Sequence, residues 1–248
     1  MQGMTRNIWV IIPAAGNSNR FSGLTPKQHT HIGKYTLLEY SAMPFLASPS
    51  IAGITVSIAP TDTLTQTSVY LQSDSRVRLV HGGGQTRTAS VLNALLSMAD
   101  AVHDQDWILI HDAARPCLSN DDLSKLIDAI LSDGAIDGAI LATPVTDTLK
   151  KTAATNNICQ TLSRSHVWHA LTPQAFRYGS LTKTLKQAIS SSSIHFTDES
   201  SAMELAGLQP LTIRGSRMNL KVTYPEDIVI AESFLKIMGR FKPNTNGR

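Results

Sequence analysis

The chain has 248 residues, 42% of them hydrophobic and 17% charged, which supplies one sizeable α/β core and excludes a disordered polypeptide. A formal charge of +3, with no run of five Lys or Arg, is too thin to point to nucleic acid. Cys117 and Cys159 lack zinc-site spacing and read as two plain thiols. The first apolar run, Ile8 to Ile12, is too short for a signal-peptide core or a membrane span, so the expected location is the cytoplasm.

Short β-branched runs alternate with helical patterns along the chain. Asn7–Ile12 is predicted as a strand, Thr36–Ala47 as a helix despite Pro44, and Ile51–Ala59 as a second strand. A helix over Thr61–Gln72 and a strand over Arg76–Val80 follow. Thr86–Ala99 is the clearest amphipathic helix, with Val91, Leu92, Leu95, Leu96 and Met98 on one side. Trp107–Ile110 and Ile136–Ala142 are predicted strands flanking a helix over Asn120–Leu131, whose start is marked by Asn120 and two aspartates. From Val145 to Phe176 the pattern turns polar and loses helical period. This segment is expected to be a hairpin-like arm centred near Ala153–Asn157, packing on a second subunit. A helix near Asp198–Ala206, strands near Leu208–Ile213 and Leu220–Val222, a helix begun by Pro225-Glu226-Asp227 and a frayed tail complete the chain. Such alternation predicts a Rossmann-like three-layer α/β sandwich on a mostly parallel sheet, formed by a single domain over residues 1–248. Ligands in such sheets sit at the carboxyl ends of the strands, here the loops after Ile12, Val80, Ile110 and Ala142.

The first of these loops runs Pro13-Ala14-Ala15-Gly16-Asn17-Ser18-Asn19-Arg20 and is followed by Pro26-Lys27-Gln28. Small residues after a strand let backbone N–H groups approach phosphates, and Arg20 and Lys27 add charge. An ordinary tight turn with solvated basic residues accounts for it about equally well. It is neither a Walker A motif nor a dinucleotide fingerprint. The second, His81-Gly82-Gly83-Gly84-Gln85-Thr86-Arg87, gives a backbone on which a flat base could lie, with Ser90 offering a hydroxyl; alone it is also a plain flexible turn. Arg87 stands where a dinucleotide motif needs its third Gly. In the third, His111-Asp112-Ala113-Ala114-Arg115-Pro116, a carboxylate ends a buried strand. That suits Mg²⁺, which takes one carboxylate plus substrate phosphates, and equally a salt bridge from Asp112 to Arg115. Trp168 reads as a core anchor, and His169 as a packing or hydrogen-bonding residue.

Taken in order, PAAGxxxR…PKQ, GGxxRxxSV, HDAARP, PVTDT, R…WHALTPQ, TDE and NxKVTxPED resemble the 2-C-methyl-D-erythritol 4-phosphate cytidylyltransferase family of the non-mevalonate isoprenoid pathway, from about Ile8 to Ala231. The resemblance implies that Ala14, Ala15 and Gly16 line a CTP site and that Arg20 and Lys27 hold the triphosphate. Gly83, Gly84 and Ser90 would read cytosine and ribose, and Asp112 would bind Mg²⁺. Arg115, Thr148, Arg164, Thr172, Thr197 and Lys221 would serve the sugar-alcohol phosphate. The arm, residues 145–176, would cross to the second subunit of a homodimer. The sequence departs from the family pattern at Asn17-Ser18, where Gly-x-Gly is usual after the alanines, at Gln85, and at Met218, where an acid usually precedes the Asn. Rivals are the same transfer to ribitol 5-phosphate, a non-catalytic nucleotide-binding module, and a nicotinamide-dependent dehydrogenase.

Overall fold

The computed structural model describes residues 6–16, 26–66, 68–84, 86–132, 136–190 and 196–244. In chain order the elements are β1 (Ile8–Pro13), β2 (His31–Ile32), β3 (Tyr35–Thr36), α1 (Leu37–Leu46), β4 (Ile51–Ser57), α2 (Thr63–Gln66), α3 (Val69–Gln72), β5 (Val77–Val80), α4 (Arg87–Ser97) and β6 (Trp107–Ile110). They continue as α5 (Asn120–Ser132), β7 (Gly138–Pro144), β8 (Leu149–Thr152), β9 (Ile158–Leu162), β10 (Trp168–Arg177), α6 (Tyr178–Ser190), α7 (Glu199–Leu205), β11 (Leu211–Arg214) and α8 (Asp227–Ile237).

Seven strands form one sheet in the order β11-β7-β10-β6-β1-β4-β5. All neighbours are parallel except β10, which runs antiparallel to both β6 and β7. The central strands β1 and β6 are buried almost throughout because helices cover both faces of the sheet, which is why they read as continuous apolar runs and not as alternation. Leu38, Ala42 and Phe45 of α1 and Leu123, Leu126 and Ile130 of α5 pack on one face. Val91 and Leu95 of α4, Leu181 and Leu185 of α6 and Met203 of α7 pack on the other. The amphipathic reading of Thr86–Ala99 holds except at Leu96, which is exposed. A smaller cluster joins Tyr40 of α1 to Ala231 and Leu235 of α8.

Local chemistry explains the boundaries. Thr36 and Glu39 form a reciprocal capping box that starts α1. Pro44 has no N–H to offer the Tyr40 carbonyl four residues back; Arg240 Nη2 donates to that oxygen instead, at 2.8 Å. The single helix expected over Thr61–Gln72 is two short ones. Ser68 accepts from the Leu71 N–H as a new N-cap and donates to Glu39, and Asp62 accepts from the Thr65 N–H. For α5 it is Ser119 whose hydroxyl accepts from the Asp122 N–H.

The arm segment also differs from the expectation. A hairpin, β8 with β9, does turn through Ala153–Asn157, and its residues are exposed except Leu149, which is half-buried. Trp168–Arg177, however, is the inner strand β10, buried from Leu171 onward. Trp168 is 37% exposed at the base of the arm and is no core anchor. Residues 220–222 are loop and not a strand; their backbone joins the rest by a bond from the Val222 N–H to the Ala114 carbonyl, and Val222 is buried against α1 and α8. Lys242, in the expected frayed tail, accepts from the Lys34 N–H; residues 245–248 lie outside the described residues.

Candidate active site

The carboxyl ends of the parallel strands β1, β5, β6, β7 and β11 face one edge of the sheet, and β10 enters the sheet from that same edge. Gln174 pairs with Ile110, so Thr172, two residues before the one, meets Asp112, two residues after the other; the Asp112 N–H donates to Thr172 Oγ1 at 3.1 Å. The antiparallel strand thus carries Thr172 to the loop that holds the carboxylate.

A cleft of about 600 Å³ opens there, lined by Ala14, Ala15, Gly16, Lys27, Gly84, Ser90, Asp112 and Lys221 among others. The loop after β1 is held by two bonds, one from the Ala14 N–H to the Ser57 carbonyl and one from Gln28 Nε2 to the Ala14 carbonyl at 2.7 Å. On the second loop a side chain has no room. A Cβ on Gly83 would stand 2.8 Å from that of Ala15, and one on Gly84 would stand 2.4 Å from that of Ala89. The Gly84 N–H donates to Ser90 Oγ, folding this loop over the first turn of α4. Lys27 Nζ donates to the Val222 carbonyl at 2.7 Å and so ties the first loop to the one carrying Lys221.

Beside the cleft lies a second cavity of about 160 Å³, lined in part by Arg115, Thr172, Thr197 and Asp198. Arg87, Asp112 and Lys221 belong to both. Asp112 is the electrostatic centre. Its Oδ1 accepts from Arg87 Nε at 3.1 Å, while Oδ2 lies 3.2 Å from Arg115 Nε and 3.0 Å from Lys221 Nζ. Burial pushes this carboxyl upward, but the charges of Arg87, Lys221 and Arg115 outweigh it and hold Asp112 well below the usual carboxylate range. The salt bridge that competed with a metal role is therefore present, enlarged to three cations.

Beneath the carboxylate a buried network fixes these groups. Thr172 Oγ1 lies 2.9 Å from His111 Nδ1, and His111 Nε2 lies 3.2 Å from the Arg115 carbonyl. A carbonyl only accepts, so Nε2 carries the proton; complete burial then keeps the ring neutral, with its pKa lowered to about 4. Arg115 Nη1 donates to the Asn219 carbonyl at 2.8 Å, and Asn219 Nδ2 donates to the Thr172 carbonyl, also at 2.8 Å.

Most of the expected site residues thus converge; Gly83 packs on Ala15 but lines neither cavity. Arg20, Asn17, Ser18 and Gln85 lie outside the described residues. Thr148 and Arg164 are exposed on the arm and line neither cavity; Arg164 Nη1 donates to the Thr146 carbonyl at the arm's base. Met218 is half-buried and also lines neither. Sequence reasoning gave no role to Arg87, Glu199, His111 or Asn219. Each lay inside a quoted motif, but only the fold shows that Arg87 reaches Asp112 and Glu199, and that His111 and Asn219 brace Arg115 and Thr172 beside it.

A mostly parallel sheet whose mouth sets backbone loops and clustered cations around a cleft of nucleotide size is the architecture of a nucleotidyltransferase. Residues 8–237 match the family model described as 2-C-methyl-D-erythritol 4-phosphate cytidylyltransferase. The enzyme of that name from Pseudomonas fluorescens (strain Pf0-1) is 44% identical over 89% of this chain and 92% of its own. The one from Actinobacillus pleuropneumoniae serotype 7 (strain AP76) is 45% identical over 94% and 97%. The crystal structure of the Francisella tularensis enzyme superposes with a TM-score of 0.79 at 33% identity, over 92% of this chain and all of that one. The chain belongs to the 2-C-methyl-D-erythritol 4-phosphate cytidylyltransferase family.

Proposed function

We propose that the chain transfers CMP from CTP to 2-C-methyl-D-erythritol 4-phosphate, giving 4-diphosphocytidyl-2-C-methyl-D-erythritol and pyrophosphate in isoprenoid precursor synthesis. The observation that carries this reading is the junction of two cavities at Arg87, Asp112 and Lys221, a large one for the nucleotide and a small one for the acceptor. The acceptor phosphate attacks the α-phosphorus of CTP in line. A phosphate monoester has its second pKa at about 6, so at neutral pH the attacking oxygen is already largely ionised and no general base is required. The neutral, buried His111 fits a structural role in such a reaction. What the chemistry does require is cancellation of repulsion between two anions and of charge developing at the α-phosphate. Lys27, Arg20 and Lys221 supply it from the nucleotide side, and Arg115, Thr172 and Thr197 hold the acceptor.

Magnesium fits this site only in the company of the triphosphate. Asp112 is the one acidic residue among the described residues lining the nucleotide cleft, and no cluster of three or more His, Cys, Asp or Glu there could cage a metal. Mg²⁺ commonly takes one carboxylate plus phosphate oxygens and water. Asp112 would be its protein ligand, and the half-exposed Lys221 would turn from the carboxylate to phosphate. The ion would supply charge neutralisation at the phosphates.

The homodimer belongs to the same reading. Thr148 and Arg164 sit on an exposed hairpin whose Ile158 is 64% exposed, a surface that a second copy would cover while bringing both residues to the other subunit's acceptor cavity. Among the described residues no helix is long and apolar enough to cross a membrane. Phosphorus NMR of a reaction with CTP, Mg²⁺ and methylerythritol phosphate tests the chemistry. A pair of coupled diphosphate signals in a new nucleotide supports transfer, and CTP hydrolysis to CMP without that product overturns it.

A further inference from the structure

Of the three residues shared by the cleft and the acceptor cavity, Asp112 and Lys221 have places in the proposed reaction and Arg87 has none. Arg87 is nonetheless the most firmly held of them. Its Nε donates to Asp112 Oδ1 at 3.1 Å, and its Nη1 reaches both oxygens of Glu199, at 2.5 and 2.7 Å. Glu199 opens α7, its side chain 1% exposed, while Arg87 opens α4, so the pair spans two helices across the site. The Glu199 end is itself braced: Gln174 of β10 donates to Asp198 and accepts from the Ser200 N–H.

This arrangement is costly unless it serves a ligand. A buried carboxylate gains little stability from a salt bridge once desolvation is counted. What it gives is orientation, because a guanidinium clamped on two sides has little freedom left to lose on binding. The bonds above occupy three of the five N–H donors of Arg87. Its side chain is 28% exposed, and it faces both cavities at the point where the α-phosphate and the acceptor phosphate have to approach.

We propose that Arg87 is a further catalytic residue, donating to the transferring phosphoryl group where the two cavities meet, and that Glu199 is the positioning residue that aims it. This rests on the transfer reaction proposed above. Lys221, on a loop, gives that group a movable charge; Arg87 gives it a fixed fork of donors.

The test uses full-length protein with the variants R87Q, R87K and E199Q, and CTP carrying sulfur at one or the other non-bridging α-oxygen. R87Q should lower kcat at least ~100-fold, the scale of losing one preorganised donor, with the KM for CTP changed only a few-fold. It should also shift the rate ratio of the two thio-diastereomers at least tenfold, since the clamped donor faces one α-oxygen. R87K should not restore the ratio, because an ammonium lacks the fork geometry. E199Q should move the ratio in the same direction by a smaller factor, and it carries the test if R87Q fails to fold. A kcat within threefold of wild type, or a lowered kcat with an unchanged diastereomer ratio, overturns the proposal. Wild-type protein that releases no pyrophosphate sinks the transfer reading and this inference with it; wild-type turnover with an unchanged ratio sinks the inference alone.

Discussion

Lys221 Nζ stands 3.0 Å from Asp112 Oδ2, although the two residues come from loops on different parts of the sheet. Asp112 follows β6, in the middle of the sheet, and Lys221 follows β11, at its edge. The ammonium, 42% exposed, rests on a carboxylate 9% exposed. The segment carrying Lys27 is held to the same place, since Lys27 reaches the carbonyl of Val222, next to Lys221. Arg87, Arg115 and Lys221 thus gather on one carboxylate, with Lys27 tied to the carbonyl beside them.

Loss of either lysine should therefore be felt in turnover more than in folding. Lys27→Ala and Lys221→Ala are each expected to lower kcat by at least ~100-fold, the usual cost of a preorganised charge. Steady-state pyrophosphate release measures this, with circular dichroism as the folding control. Near-normal turnover of both variants would remove the mechanism.

Gly84→Ala should damage nucleotide binding through shape alone. Its Cβ would stand 2.4 Å from that of Ala89 and 3.1 Å from the Ser90 nitrogen, so the loop over α4 has to shift and the bond from the Gly84 N–H to Ser90 is strained. Overpacking of this kind costs about 1–3 kcal/mol. Calorimetric titration with CTP should show binding weakened roughly tenfold or more, and unchanged affinity would mean that the loop does not shape the base site.

Arg240 is expected to be a structural residue whose loss mimics a helix defect. Its guanidinium donates to the carbonyls of Tyr40, at 2.8 Å, and Leu118, at 2.6 Å, and the first of these is the oxygen that Pro44 leaves without a helical partner. Arg240→Leu strands both acceptors in a partly buried place, at a cost of about 1–3 kcal/mol for each unsatisfied group. Urea unfolding should show the fall in stability while the KM for CTP stays unchanged.

Acid should destabilise the fold in two windows. The pKa of His111 is lowered from the ordinary 6.5 to about 4 by burial, so the unfolded chain binds a proton first as pH falls. The stability lent by neutral His111 is complete above pH 6.5 and is lost progressively between there and about 4. The loss amounts to roughly 3 kcal/mol at about 1.36 kcal/mol per unit. Asp112, held below the usual carboxylate range by its three cations, contributes stability above the unfolded value of 3.8 that is lost only at lower pH. In urea titrations at several pH values, His111→Asn should flatten the first window and leave the second; an unaltered slope between pH 6.5 and 4 would assign it to other groups.

Much of this was legible in the sequence, because the signals were local. Continuous apolar runs at Ile8–Ile12 and Trp107–Ile110 announce strands buried on both faces, and small or acidic residues directly after them announce the site. The reversal of β10 was not legible. Leu171–Arg177 is as buried as any central strand, but the polar stretch before it hides its start, and nothing local says that it runs antiparallel. That reversal is what brings Thr172 to Asp112. Arg87 was visible only as a residue that spoils a glycine fingerprint. Its bonds to Asp112 and Glu199 join a loop and two helix starts far apart in sequence, so its charge had no local partner until the fold supplied two.

Transfer and acceptor choice are tested together by pyrophosphate release from the purified protein with Mg²⁺ and CTP, with methylerythritol phosphate and ribitol 5-phosphate compared as acceptors. Rapid release is expected with the first and a kcat/KM at least a hundredfold lower with the second. Preference for ribitol 5-phosphate would contradict the acceptor assignment, and no release with either would contradict the transfer itself.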